Sequence, residues 1–142
     1  MKPYRVIVAG SRGYTDYQFV KTKLDVLLSS KVEEGYTIII VSGKEPTGAD
    51  ALGEKYAKER GYFVDEYPAQ WNDIQGKPYN ELGKRKDGSL YWKKAGPARN
   101  EEMAAIANAC VIFRVNMSYG STDMYNRAQA HKLAVRVYDI TK

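Results

Sequence analysis

Four groups of residues along the chain combine glycines with hydroxyl, carboxyl or arginine side chains, the types that bind anions. They are Gly10-Ser11-Arg12-Gly13, Ser42-Gly43 with the later Thr47-Gly48-Ala49-Asp50, Gly96-Pro97-Ala98-Arg99-Asn100, and Ser118-Tyr119-Gly120-Ser121-Thr122. Glycine lets a ligand approach the backbone closely, and arginine can clamp a phosphate. Free N–H groups at the start of a helix attract the same anions. The four groups therefore predict a site for a ligand that carries phosphate or carboxylate.

Each group also has a purely structural interpretation, and both interpretations stay open at this point. Residues 10–13 could form only a turn from a strand to a helix, and Thr47 with Asp50 fits a capping box. A serine or threonine of residues 118–122 could serve as an N-cap. Arg99 is predicted near the start of a helix, where its positive charge opposes the helix dipole, and this indicates an anionic partner. An ion pair with a neighbouring glutamate on the surface would explain the arginine equally well.

The hydrophobic pattern predicts the strands and helices that position these groups. Apolar runs predict five strands, at residues 5–9, 37–41, 62–67, 109–115 and 134–138. The runs at 6–8 and 38–41 are continuous rather than alternating, which is typical of parallel strands covered on both faces. Helical spacing predicts four helices: one carrying the stripe from Val20 to Leu28, one at 49–60, one that opens at Ala95 with Pro97 in its first turn, and one at about 122–132.

This alternation of strands and helices predicts a three-layer, Rossmann-like α/β sandwich with a mainly parallel five-stranded sheet. A chain of 142 residues is expected to form it as a single domain, residues 1–142. In such open sheets, ligands bind beyond the carboxyl ends of the strands, at the point where the strand order reverses. We therefore expect the four groups to meet at one edge of the sheet.

The positive charge of the chain is concentrated in one segment. The whole sequence carries 22 Lys and Arg against 17 Asp and Glu, a net charge of +5. Residues 75–96 hold six basic and two acidic residues, so this segment alone carries +4. It is too long for an ordinary connection, and a small hairpin around the turn at 87–88 is predicted. Three roles stay open for this basic loop: a solvated hairpin, a lid over the ligand site, or a surface for single-stranded nucleic acid.

Several classes of function are disfavoured by what the sequence lacks. No apolar run approaches the roughly 18 residues of a membrane span, so we expect a cytoplasmic protein with no membrane partner. One cysteine and one histidine exclude an intramolecular disulfide and a cysteine or histidine metal cluster. Walker-type, His-Glu-x-x-His and dinucleotide-binding spacings are absent, so we expect neither a metal nor a cofactor, and dehydrogenase chemistry is disfavoured.

The motifs occur in an order that resembles a known family. They are Val6-Ile7-Val8-Ala9-Gly10-Ser11-Arg12, Ser42-Gly43, Gly48-Ala49-Asp50, Ala95-Gly96-Pro97-x-Arg99-Asn100-x-x-Met103 and Ser118-x-Gly120-Ser121-Thr122. This combination spans nearly the whole chain and is similar to the YspA/YpsA-related branch of the SLOG superfamily. That superfamily also contains the Lonely-Guy phosphoribohydrolases and, more distantly, DprA.

The resemblance implies a protein that binds a nucleotide or a nucleotide-derived ligand, with compounds related to NAD or ADP-ribose among the candidates. Such a protein would act as a sensor or binding protein, and relatives of this kind commonly form homodimers. Carried over residue by residue, the ligand contacts would be Gly10, Ser11, Arg12, Gly43, Asp50, Arg99, Asn100, Ser118, Gly120, Ser121 and Thr122.

One departure from the superfamily bears on catalysis. The phosphoribohydrolases carry a Gly-Gly-x-Gly-Thr-x-x-Glu motif whose glutamate serves cleavage of the N-glycosidic bond. Alignment of Gly120 and Ser121 on its Gly-Thr places Met124 at the glutamate position, and methionine supplies no carboxylate. Asp50 and Arg99 are then the remaining candidates for a catalytic role. Ligand binding is the better supported hypothesis, and N-glycosidic cleavage of a nucleoside monophosphate is the alternative.

Overall fold

Strands and helices alternate along the chain in the computed structural model, which describes residues 2–116 and 119–140. The strands are β1 (Pro3–Gly10), β2 (Thr37–Ser42), β3 (Phe63–Glu66), β4 (Leu82–Lys84), β5 (Leu90–Trp92), β6 (Ala109–Val115) and β7 (Ala134–Ile140). The helices are α1 (Tyr17–Glu33), α2 (Ala49–Arg60), α3 (Ala95–Ile106) and α4 (Tyr119–Ala130). None of these helices is both long enough and apolar enough to cross a membrane.

Five of the strands form one parallel sheet in the order β3-β2-β1-β6-β7. The chain first extends the sheet on one side of β1, and it then returns to place β6 on the other side. In the register, Val6 of β1 stands between Ile40 of β2 and Ala109 of β6. The strand order therefore reverses between β1 and β6, and the predicted α/β fold class is confirmed.

Helices cover both faces of this sheet, which explains the continuous apolar runs. Val6 and Val8 of β1 belong to the cluster under α1 and α2, together with Leu24. Ile7 and Ala9 of the same strand belong to the cluster under α3 and α4. Because successive side chains of a strand point to opposite faces, a strand with two covered faces needs apolar residues at every position.

One of the two helices at the candidate site begins where the sequence predicted, and the other begins earlier. α3 begins at Ala95 and has Pro97 in its first turn, where proline is tolerated because the first N–H groups need no partner within the helix. α4 begins at Tyr119 rather than near residue 122. Gly120 and Ser121 therefore lie within the first turn of α4 instead of ahead of it.

Residues 75–96, called the basic segment below, contain the predicted hairpin. β4 and β5 pair antiparallel around a turn that includes Gly88. The Trp92 N–H donates to the Trp71 carbonyl at 2.8 Å, and Trp92 Nε1 donates to Glu81 Oε1 at 3.0 Å. These bonds fasten the hairpin to the chain ahead of it, and the segment leads directly into α3.

Candidate functional site

A cavity of about 520 Å³ opens at the carboxyl ends of β1 and β6, where the strand order reverses. Its volume lies within the range of small-molecule sites. Eight of the predicted ligand contacts line it, namely Gly10, Ser11, Arg12, Asp50, Arg99, Asn100, Gly120 and Ser121. Gly43 and Thr122 are not part of the wall, and Ser118 lies outside the described residues. The structure thus brings together residues that are up to 111 positions apart in the sequence, from Gly10 to Ser121.

The loop after β1 is held against β6 by its backbone and by one hydroxyl. A side chain at Gly10 would overlap the Phe113 carbonyl, so glycine is required here by close approach of the neighbouring strand. The Ser11 N–H donates to that carbonyl at 3.0 Å, and Ser11 Oγ accepts from the Val115 N–H at 2.9 Å. The Ser11 hydroxyl therefore fixes the position of β1 relative to β6.

Arg12 and Glu45 form an ion pair in the cavity wall. Arg12 Nη2 donates to Glu45 Oε1 at 3.3 Å, and Arg12 Nε lies 3.3 Å from Glu45 Oε2. The Arg12 side chain is 71% exposed, whereas that of Glu45 is 23% exposed. Glu45 Oε1 also lies 4.0 Å from Nη2 of Arg99, another residue of the cavity wall. One carboxylate thus faces two guanidinium groups.

Arg99 holds the ends of two strands and its own helix together. Its Nη1 donates to the Gly43 carbonyl after β2 and, at 3.4 Å, to the Tyr67 carbonyl after β3. Its Nε donates to Asn100 Oδ1 at 3.0 Å. A Cβ at Gly43 would lie 2.5 Å from Arg99 Nη1, so this glycine makes room for the guanidinium from behind the cavity wall. Arg99 is accordingly both a structural clamp and a cavity residue.

Asp50 is a buried carboxyl in the cavity wall, only 7% exposed. Burial raises its pKa to about 6, while a hydrogen bond from the Glu45 N–H at 3.2 Å and the charge of Arg99 oppose that rise. The predicted capping box is wrong, because Gly48 is the N-cap of α2 and no side chain caps that helix. Gly48 has a φ of 77°, and a side chain there would overlap the Ser11 carbonyl. Asp50 therefore bonds to the preceding loop rather than acting as a cap.

A chain of polar contacts joins α3 to α4 beside the cavity. Asn100 Nδ2 donates to Asp123 Oδ2 at 2.9 Å, and Arg127 Nε donates to the same oxygen at 2.9 Å. Arg127 Nη1 then donates to Glu101 Oε1 at 3.2 Å. Met124, at the position where the resemblance places a glutamate, is fully buried and lines the cavity. Asp123 lines it as well, but its carboxylate is held by Asn100 and Arg127.

Some cavity residues were not singled out as ligand contacts from the sequence. Those with polar or aromatic side chains are Glu45, Trp71, Lys93, Tyr119 and Asp123. A Cβ at Gly96 would lie 3.2 Å from the Trp71 ring, so the indole packs over the start of α3. The sequence pointed to Lys93 only as part of the basic segment, for which a lid over the ligand site was one of the predicted roles. Glu45 belongs to no motif.

The basic segment uses much of its charge internally. Lys77 Nζ lies 4.2 Å from the centre of the Trp92 ring, and Lys94 Nζ lies 3.3 Å from Glu81 Oε2. Arg85 Nη2 donates to Asn72 Oδ1 at 2.8 Å. Lys84 and Lys86 are exposed, and Lys93 lines the cavity. Within residues 2–116 and 119–140, no group of three His, Cys, Asp or Glu side chains is arranged to hold a metal ion.

The fold and the position of the cavity define a class of protein, the parallel three-layer α/β proteins with a ligand-sized cavity at the reversal of strand order. Residues 4–73 match the model of the YspA, cpYpsA-related SLOG family. The family predicted from the motifs is therefore confirmed over these residues. The motifs at the starts of α3 and α4 lie outside the matched range.

Two solved structures are similar to this chain. DNA processing protein A (DprA) from Streptococcus pneumoniae superposes with a TM-score of 0.64 at 20% identity, over 96% of this chain and 50% of that one. This chain thus spans half the length of DprA, with which it shares the fold. The C-terminal domain of a Pyrococcus furiosus hydrogenase gives a TM-score of 0.43 at 13% identity, over 97% of this chain and 94% of that one. No curated protein sequence matches the chain.

Proposed function

We propose that the cavity binds a nucleotide or a nucleotide-derived ligand, with compounds related to NAD or ADP-ribose among the candidates, and that the chain acts as a sensor or binding protein. The observation that carries this proposal is the convergence of Arg12, Arg99, Lys93 and the first turn of α4 on one cavity of about 520 Å³. Membership of the SLOG family, which suggests nucleotide-related binding, supports the same proposal.

The charged residues in the wall of the cavity suit a phosphate. Arg12 and Lys93 are exposed cations on its wall, and a guanidinium can bind two phosphate oxygens at once. α4 is 12 residues long and begins at the cavity with Tyr119, so its first N–H groups add to the positive potential. A Cβ at Gly120 would meet no atom within 4 Å, so packing does not require glycine there and the space beside the helix start is open.

The apolar residues in the wall of the same cavity suit a base. Trp71, Pro97, Met103 and Met124 contribute apolar surface to the wall. Aromatic rings stack with flat heterocycles, and thioethers adapt their shape to them. A ligand that carries both an anionic group and an apolar, aromatic group matches this wall, and a nucleotide has this character.

Isothermal calorimetry against nucleoside monophosphates, ADP-ribose and cyclic nucleotides tests the proposal. Arg12→Gln should weaken binding of a phosphate-bearing ligand about fivefold to tenfold, since it removes one charged contact. The matched control is Arg136→Gln, which makes the same charge change at an exposed position of β7 outside the cavity wall. Absence of binding across the whole panel, or equal effects of the two variants, would contradict the proposal.

A second candidate function is cleavage of the N-glycosidic bond of a nucleoside monophosphate. One observation favours it: the Asp50 carboxyl in the cavity wall has a pKa of about 6, which suits a general acid or base near neutral pH. Water would then replace the base on the ribose, giving free base and ribose 5-phosphate. Chromatography of a long incubation should detect the base with the parent protein and lose it with Asp50→Asn. No released base with the parent protein would exclude this candidate.

A further inference from the structure

We infer that the Glu45 carboxylate occupies the anion subsite of the cavity, and that a phosphate-bearing ligand binds by displacing it from Arg12 and Arg99. The inference rests on the proposed function and adds a selectivity rule to it. A ligand must carry enough negative charge to replace a carboxylate that the protein itself supplies.

The contacts of the two arginines support this assignment. Glu45 lies 3.3 Å from Arg12 through each of its two carboxylate oxygens, and 4.0 Å from Arg99 Nη2. Nε and Nη1 of Arg99 donate to protein oxygens, those of Asn100, Gly43 and Tyr67. Nη2 is therefore the nitrogen of Arg99 that is left to face an anion in the cavity, and Glu45 supplies that anion.

The Glu45 carboxylate can leave without disturbing the loop that carries it. Its loop is anchored by the backbone, since the Glu45 N–H donates to Asp50 Oδ2 at 3.2 Å. The side chain, in contrast, is held among the described residues by ion pairs with two arginines, one of which is 71% exposed. Exposed ion pairs are weak, so a better anion can readily replace Glu45 at Arg12.

The chemistry of exchange favours phosphate over weaker anions. A phosphate monoester carries up to two negative charges and three acceptor oxygens, so it can satisfy both guanidinium groups together. A carboxylate ligand offers the arginines no more than Glu45 already offers. A neutral nucleoside offers no replacement at all. Repulsion by the Glu45 carboxylate further disfavours an anionic ligand that approaches without displacing it.

Glu45→Gln is the direct test, because it keeps the shape of the side chain and removes its charge. We expect it to tighten binding of inorganic phosphate and of adenosine 5′-monophosphate about tenfold, since two competing ion pairs are lost, and to leave adenosine unchanged. Glu45→Ala should act in the same direction. The matched control is Glu59→Gln on α2, which makes the same charge change outside the cavity and should alter affinity less than about twofold.

The outcomes separate this inference from the proposed function. Equal or weaker phosphate binding by Glu45→Gln, with the parent protein binding the nucleotide, overturns the inference and leaves the proposed function standing. An equal gain for adenosine and its monophosphate also overturns it, because a loss of shape or stability would not depend on ligand charge. No binding by any variant to the monophosphate, phosphate or the wider nucleotide panel defeats the proposed function itself. A gain that increases with ligand charge supports the inference.

Discussion

The two faces of the parallel sheet are built for different tasks. The face under α1 and α2 is closed by a large apolar cluster that contains Leu24, Leu28 and Tyr56. The face under α3 and α4 has a smaller apolar cluster, beside which Asn100 and Asp123 form polar contacts at the cavity. One side of the sheet therefore supplies packing, whereas the other gives up part of its packing to hold polar groups at a site. Substitutions on the two faces should separate stability from binding.

The largest expected effect is on the closed face. Leu24→Ala removes a side chain with no exposed surface, and it should lower the free energy of unfolding by about 3 kcal/mol through lost burial and the resulting cavity. Urea denaturation measures this loss. Nucleotide affinity of the folded fraction should stay the same, because Leu24 is on the face away from the cavity. A large change in affinity at constant structure would contradict the separation of the two faces.

Met124→Ala is the matched substitution on the face under α3 and α4, which borders the cavity. Met124 is equally buried but lines the cavity, so its loss should change nucleotide affinity as well as stability. We expect the free energy of unfolding to fall by about 2 kcal/mol, the low end for replacing a buried methionine by alanine, because Met124 already borders the cavity. Unchanged nucleotide affinity would show that this side chain does not take part in the ligand site.

Asp50, at the start of α2, makes the cavity wall sensitive to pH. Burial raises the pKa of its carboxyl from 3.8 to about 6, so the unfolded chain ionises first as pH rises. The contribution of Asp50 to stability is then largest below about pH 4, decreases between pH 4 and 6, and remains lower above that. At ~1.4 kcal/mol for each pKa unit, the decrease is at most about 3 kcal/mol. Urea denaturation from pH 4 to 8 should show this slope in the parent protein, and a flatter curve for Asp50→Asn.

Arg99 should affect both properties, because it belongs to the framework and to the cavity. Arg99→Ala leaves the carbonyls of Gly43 and Tyr67 without this donor, and charged hydrogen bonds contribute about 2 kcal/mol. The variant should therefore lose about that much free energy of unfolding together with most of its phosphate affinity. Loss of affinity with full stability would mean that the clamp contributes little to the fold.

The sequence could predict the fold and the edge of the sheet more completely than the site. Apolar runs predicted the five strands of the sheet, and the strand order in the structure places the loops after β1 and β6 side by side. Glu45 escaped prediction because no motif marks it, and its partner Arg12 is brought near only by the fold. The capping role of Thr47 and Asp50 failed because Gly48, with its positive φ, takes the N-cap position. Local patterns therefore misassign a residue when tertiary contacts compete for it.

The smallest effects should come from the basic segment, where two lysines with different positions make a matched pair. Lys93 lines the cavity, whereas Lys86 is exposed on the hairpin turn outside its wall. Lys93→Gln should weaken nucleotide affinity about threefold, the size of one screened, exposed contact. Lys86→Gln should leave it unchanged, and neither variant should change the free energy of unfolding by more than about 0.5 kcal/mol. Equal losses of affinity for the two variants in calorimetry would indicate that the ligand is attracted by the positive potential of the whole segment rather than by a contact with Lys93. A loss confined to Lys93 would instead identify the segment as one wall of a small-ligand site, consistent with the internal use of Lys77 and Lys94.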